Sequence, residues 1–66
     1  MAVTTVAAVN GEHAYLALTD CFSNWTASQR GSWWVIRFQH HSAAEVNRTI
    51  RELGITGRAK QTGVAP

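Results

Sequence analysis

The chain has 66 residues and a mass of 7.2 kDa, which allows one small domain and excludes a multidomain enzyme. Hydrophobic residues make up 45% and charged residues 15%, a balance typical of globular proteins and not of disordered ones. The net charge of +2 is below the clustered charge of a strong nucleic-acid binder. All six Lys and Arg residues lie in residues 30–66, so the second half is the cationic one.

The first apolar stretch ends at Asn10-Gly11, and it is too short for a membrane span or for the core of a signal peptide. Cys21 is the only cysteine, which excludes an intramolecular disulfide and the disulfide-stabilised secreted class. We therefore expect a cytoplasmic protein that makes no contact with a membrane.

The first predicted element is a hairpin. Asn10-Gly11 is a strong hairpin signal because a type I′ turn needs positive φ at both central residues. It separates residues 3–9, rich in β-branched types, from residues 12–18. We predict that these two stretches are paired antiparallel strands. The residues predicted to face the core are Val3, Ala7, Val9, Ala14, Leu16 and Leu18.

A second hairpin is predicted from residues 22–28 and 32–39, with the three-residue loop Gln29-Arg30-Gly31 between them. A one-residue slip would exchange the two faces of a strand, so the register stays open. In the favoured register one face is the core beneath a helix, and it holds Phe22, Asn24, Thr26, Trp34, Ile36 and Phe38. The opposite face holds Ser23, Trp25, Ala27, Trp33, Val35 and Arg37.

A helix is predicted from Ala43, because Ser42-Ala43-Ala44-Glu45 is a capping box. Its apolar positions are Ala43, Val46, Ile50 and Leu53, and Gly54 ends it. The prediction is thus an α+β domain, residues 1–57, in which a small antiparallel sheet of three to four strands packs on one C-terminal amphipathic helix. Residues 58–66 are predicted to be a flexible basic tail.

Catalysis and metal binding are weakly supported. His13, Cys21, His40 and His41 are enough ligands for zinc, but their spacing fits no compact zinc pattern. A lone cysteine in a small domain is more often a buried hydrophobe than a nucleophile, and no glycine-rich phosphate loop is present. We expect a non-catalytic protein without metal, cofactor or small-molecule substrate.

The first functional hypothesis is protein binding. Trp and Arg are enriched in binding hot spots, and one helix can cover only one face of the second hairpin, which leaves an apolar patch exposed. This favours an inhibitor or adaptor from a phage or mobile element that occludes a larger protein, or a homodimer. The predicted partner-binding residues are Trp25, Trp33, Val35, Arg37 and Arg30.

The second hypothesis is nucleic-acid binding through the sheet. Residues 25–53, WTASQRGSWWVIRF followed by the Ser42 cap and the helix, are similar in element order to plant AP2-type DNA-binding domains and the arm-binding domains of phage integrases. The resemblance implies strands that enter the major groove, although those sheets carry more outward Arg and Lys. Exposed Trp25 and Trp33 would stack on single-stranded bases. The residues assigned to this alternative are Arg30, Arg37, Arg58 and Lys60.

Overall fold

The computed structural model describes residues 3–64, with side chains from residue 4 to residue 62. The elements are β1 (Val3–Asn10), α1 (Glu12–Thr19), β2 (Trp25–Arg30), β3 (Trp33–Gln39), α2 (Ala43–Leu53) and β4 (Gly57–Val64). The strands form one antiparallel sheet in the order β2-β3-β1-β4. The predicted α+β class is confirmed, and the topology is the split βαβ arrangement of ferredoxin-like folds, which by itself does not indicate a function.

Residues 12–18 were predicted to be a strand, and this is wrong because they belong to α1. Gly11 has φ 94°, but Asn10 stays in β1, so the Asn-Gly pair ends a strand and begins a helix. β1 pairs with β3 on one side and with β4 on the other, so neither of its edges is free for a hairpin partner. The helical spacing buries Ala14 and Leu18, four residues apart, on one side of α1.

The core faces predicted for the first segment are partly right. Ala7 and Val9 are fully buried, whereas Leu16 is 53% exposed because α1 turns it away from the sheet. Thr5 is also fully buried, and its hydroxyl donates a hydrogen bond of 2.6 Å to the His41 carbonyl oxygen. The side chain of Val3, also predicted to face the core, lies outside the described residues.

The second hairpin is present, but its loop is one residue shorter than predicted. Arg30 pairs with Trp33, so only Gly31 and Ser32 connect the strands, and Gly31 takes the positive φ of 62° that a tight turn requires. With this turn, β2 is shifted by three residues against β3: Phe38 pairs with Trp25 instead of Phe22. An odd shift exchanges the two faces of β2.

The predicted faces of β3 are correct, while those of β2 are reversed. Ile36 and Phe38 are fully buried beneath the helices. Trp25 pairs with Phe38, so it lies on the helix side of the sheet, and Thr26 lies on the opposite side beside Arg37. Phe22 precedes β2 instead of belonging to a strand, and its ring lies 4.9 Å from that of Phe38 between centroids.

Helix α2 begins and ends where the sequence predicts. The Glu45 amide donates to the Ser42 hydroxyl at 3.2 Å, and Gly54 ends the helix with φ 67°. In a capping box the Glu45 carboxylate would bond the amide of Ser42, but here it contacts the His41 ring nitrogen at 3.3 Å instead. Leu53, predicted to face the core, is 39% exposed.

Strand β4 replaces most of the predicted tail. Residues 57–64 pair with β1, so the prediction of a flexible tail is wrong for residues 58–64, while residues 65 and 66 lie outside the described part of the chain. Asn47 of α2 holds this edge strand: its side chain accepts from the Ala59 amide at 2.9 Å and donates to the Ala59 carbonyl at 3.0 Å. A Cβ on Gly57 would lie 2.5 Å from Val9 Cγ1, so only glycine permits this approach to β1.

Candidate functional site

The sheet has two sides of different character. Both helices pack on one side, where strand residues such as Ile36 and Ala59 join Leu18 of α1 and Val46 of α2 in a single core. Within residues 3–64, no helix covers the other side, which we call the open face. Because side chains alternate along a strand, the register assigns its members. They are Thr4, Val6, Ala8, Asn10, Thr26, Ser28, Arg30, Trp33, Val35, Arg37, Gln39, Arg58, Lys60 and, at the bulged end of β4, Thr62.

The four cations predicted for nucleic-acid binding all lie on the open face. Lys60 and Arg37 flank Val6 of the central strand from opposite sides. Arg58 lies beside Ala8 on the same side of β1 as Lys60. The fourth, Arg30, pairs with Trp33 at the end of the second hairpin. All four are exposed.

The carboxylates lie elsewhere. Glu12 and Asp20 are in or next to α1, and Glu45 and Glu52 are in α2. Among the described residues, therefore, none of the chain's four Asp and Glu side chains is on the open face. The remaining cations, Arg48 and Arg51, are also in α2. Among the described residues, every charged Lys, Arg, Asp or Glu side chain on the open face is thus a cation. The helix layer carries more carboxylates than Lys and Arg side chains.

The open face also has apolar parts. A groove of about 250 Å³ runs between β1 and β4, and Val6, Ala8, Arg58, Lys60 and Thr62 line it. Beyond β1, on the β3 side, Val35 is half-buried and Trp33 is 41% exposed. Small side chains on β1 therefore form a floor, and longer cationic side chains stand along it.

Trp25 is a correction to the predicted partner-binding set. Of that set, Arg30, Trp33, Val35 and Arg37 lie together on the open face, but the shifted register moves Trp25 to the helix side. There it is half-buried and packs edge-on against Tyr15, with ring centroids 5.8 Å apart.

Tyr15 in turn stacks on Trp34 with a centroid distance of 4.0 Å and an interplanar angle of 8°. Two of the three Trp residues therefore pack against α1, and one is on the open face. The contact of Tyr15 with both Trp rings was not predicted, because residues 12–18 were expected to form a strand.

The residues considered as metal ligands are dispersed. His13 is exposed on α1, and Cys21 follows that helix with its thiol donating to the Ala17 carbonyl at 3.4 Å. His40 is exposed, while His41 packs edge-on against Phe22 with centroids 4.8 Å apart. Within the part of the chain that the structure describes, no three His, Cys, Asp or Glu residues form a group that could hold a metal ion.

The resemblance in element order to AP2-type and integrase arm-binding domains does not extend to the topology. In this chain a helix separates β1 from the second hairpin, and β4 follows α2 to pair with β1. None of the helices in residues 3–64 has the length and apolar character needed to cross a membrane. No protein-family model, curated protein or solved structure matches the chain.

Proposed function

We propose that the protein binds single-stranded nucleic acid on the open face of its sheet. This proposal rests on the charges of the open face. Arg30, Arg37, Arg58 and Lys60 lie together there, and among the described residues no Asp or Glu side chain does. Like charges on one face repel each other, and the phosphates of a bound polyanion neutralise them. Binding also releases counterions condensed on the polyanion, which adds to the affinity.

The apolar residues of the open face favour nucleic acid over a polyanion that has no bases, because they can contact the bases. Exposed Trp33 offers a ring for stacking, which contributes about 1–3 kcal/mol per base in other single-strand binding proteins. Arg30 beside it adds a planar guanidinium that both stacks and bonds phosphate. Val6, Ala8 and Val35 extend the apolar surface between the cations.

The shape of the face favours a single strand over a duplex. Neighbouring strands are about 4.8 Å apart, so the four-stranded sheet is about 14 Å wide between its outer strands before side chains are added. The major groove is about 12 Å wide and admits a helix or a two-stranded ribbon. A four-stranded surface of this width does not enter it, whereas a flexible strand can lie across the face.

Protein binding is the second candidate, and exposed Trp33 next to Val35 and Arg37 is the observation that favours it. The partner would need an acidic surface to match the four cations. A homodimer through this same face is disfavoured, because two-fold symmetry would bring like charges together without a carboxylate between them.

The test is binding of a fluorescently labelled thymidine oligonucleotide of about 12 nucleotides, followed by anisotropy, at about 50 and about 200 mM salt. Four phosphate contacts on a single strand predict a slope of log K against log salt of about −2.8, or about 50-fold weaker binding at the higher salt. A duplex of the same length is the comparison, and it should bind more weakly.

Arg37→Gln and Arg51→Gln form a matched pair, since both remove one charge and only Arg37 is on the open face. We expect Arg37→Gln to weaken binding about fivefold and to make the slope shallower by about 0.7, while Arg51→Gln changes neither. Equal effects of the two variants would mean that only net charge matters. Failure to bind any oligonucleotide at the lower salt would contradict the proposal and redirect the search to acidic protein partners.

A further inference from the structure

We infer that the groove between β1 and β4 holds one unstacked base of the bound strand, with Arg58 and Lys60 on the phosphates that flank it. This inference rests on the proposed function and adds a position for a base. The groove, of about 250 Å³, is lined by Val6, Ala8, Arg58, Lys60 and Thr62. Its lining is almost entirely apolar, so Arg58 and Lys60 border it with their aliphatic stems.

The apolar floor of the groove favours a base over a phosphate. Val6 and Ala8 have no polar side-chain atoms, so the floor itself offers a phosphate no hydrogen bond to replace its hydration. A flat aromatic base keeps its polar edge at the rim and covers the apolar floor with its face. The two cations of β4 lie two residues apart on the same side of the groove, about 7 Å along the strand, where they reach phosphates on either side of that base.

A second base position follows from the register. Trp33 pairs with Asn10, two residues along β1 from Ala8, so its backbone position lies about 7 Å further along the sheet and one strand away from the groove. One base stacks on Trp33 and another occupies the groove. The bound strand therefore crosses β1 obliquely between β3 and β4.

The experiment compares a thymidine oligonucleotide with an abasic oligonucleotide of the same length, which keeps every phosphate and removes every base. We expect the wild-type protein to bind the thymidine strand at least about tenfold more tightly, as expected for bases held at two positions. Ala8→Leu fills the groove, and we expect it to reduce that preference about fivefold while it leaves the affinity for the abasic strand unchanged.

Ala44→Leu is the matched control, because it makes the same substitution at an exposed residue of α2, on the other side of the sheet. It should leave the preference unchanged. Trp33→Ala should reduce the preference independently, and the double variant with Ala8→Leu should abolish it. Val6→Thr keeps the side-chain volume and adds a hydroxyl to the floor, and it should lower the preference about threefold. It replaces Ala8→Leu as the test if the Ala8→Leu protein does not fold, as judged by loss of cooperative unfolding.

The outcomes separate this inference from the proposed function. If the wild-type protein binds neither oligonucleotide, the proposed function itself fails. If it binds both equally, phosphates alone are bound and the base position in the groove is overturned. If Ala8→Leu and Val6→Thr keep the full preference, bases are bound elsewhere on the protein, and the base position in the groove is again overturned.

Discussion

The two sides of the sheet differ in burial and in composition although they share the same strands. On β3, Ile36 is fully buried beneath the helices, while its neighbours Val35 and Arg37 lie on the open face. The helix side is filled by aliphatic and aromatic groups packed around Ile36 and Phe38. Residues on that side stabilise the fold, whereas the open face adds little to the core.

The charges show the same contrast. Carboxylates and cations are mixed on the helix layer, as in the pair between Arg48 Nε and Glu52 Oε1 at 3.1 Å. The open face carries cations alone, an arrangement that stability by itself does not favour, since mixed signs reduce repulsion. Surfaces that give up stability in this way are characteristic of binding sites.

The largest expected effect comes from deleting residues 57–66. A flexible tail would be removed without loss of stability, but deletion of β4 uncovers one edge of the central strand β1 and removes buried Ala59. In a domain this small, with a total stability of about 5 kcal/mol, we expect loss of cooperative thermal unfolding. Circular dichroism measures it, and a native melting curve for the shortened chain would contradict the assignment of β4.

A pair of substitutions on one strand separates the two sides. Ile36→Ala should cost about 3 kcal/mol because it leaves a cavity in the core. Val35→Ala should cost less than about 1 kcal/mol, since it removes only part of an open-face contact. Chemical denaturation measures both values. Similar losses from the two variants would mean that the open face is packed against something in solution.

The link between α2 and β4 should give the next largest effect. Asn47→Ala leaves the Ala59 amide and carbonyl without the side-chain partners that they have at 2.9 and 3.0 Å, which we expect to cost about 2 kcal/mol. Hydrogen exchange of the Ala59 amide should accelerate more than that of amides in β3. Arg51→Lys, which keeps the positive charge in the last turn of the same helix, is the control and should change neither quantity.

The smallest effect concerns the stability of the open face itself. Lys60 and Arg37 flank Val6 across β1, about 10 Å apart at the backbone, which is close to one screening length at about 0.1 M salt. Arg37→Gln should therefore raise stability by about 0.3 kcal/mol at low salt, and the gain should disappear at high salt. The control Arg48→Gln breaks an ion pair of α2 and should lower stability by a similar amount. Destabilisation by Arg37→Gln at low salt would indicate that Arg37 supports the fold.

Local signals in the sequence were sufficient for some elements. The Ser42 cap, the apolar spacing and Gly54 lie within a few residues of each other, and they predicted α2 correctly. The faces of β3 were also predicted, because Ile36 and Phe38 alternate with Val35 and Arg37. Within the site, this alternation is enough to assign Trp33, Val35 and Arg37 to one surface.

Other features depend on partners that are far apart in the chain. Residues 12–18 and 57–64 have no decisive local pattern. The first segment fits a strand or a helix, and half of the second is polar, with two glycines besides. Their states follow from β1, which takes β3 and β4 as neighbours and leaves no edge for residues 12–18. The turn at Gly31-Ser32 shifts the pairing of β2 by three residues from the predicted register, and this moves Trp25 to the helix side.

By itself, the sequence determined a small α+β domain, helix α2 and a hairpin that carries Arg30, Trp33 and Arg37, because those signals are local. Only the tertiary structure decided that Arg58 and Lys60 join this surface, through the pairing of β4 with the central strand. Strand pairing across the whole chain depends on long-range contacts and loop lengths, which the periodicity of a single segment does not encode.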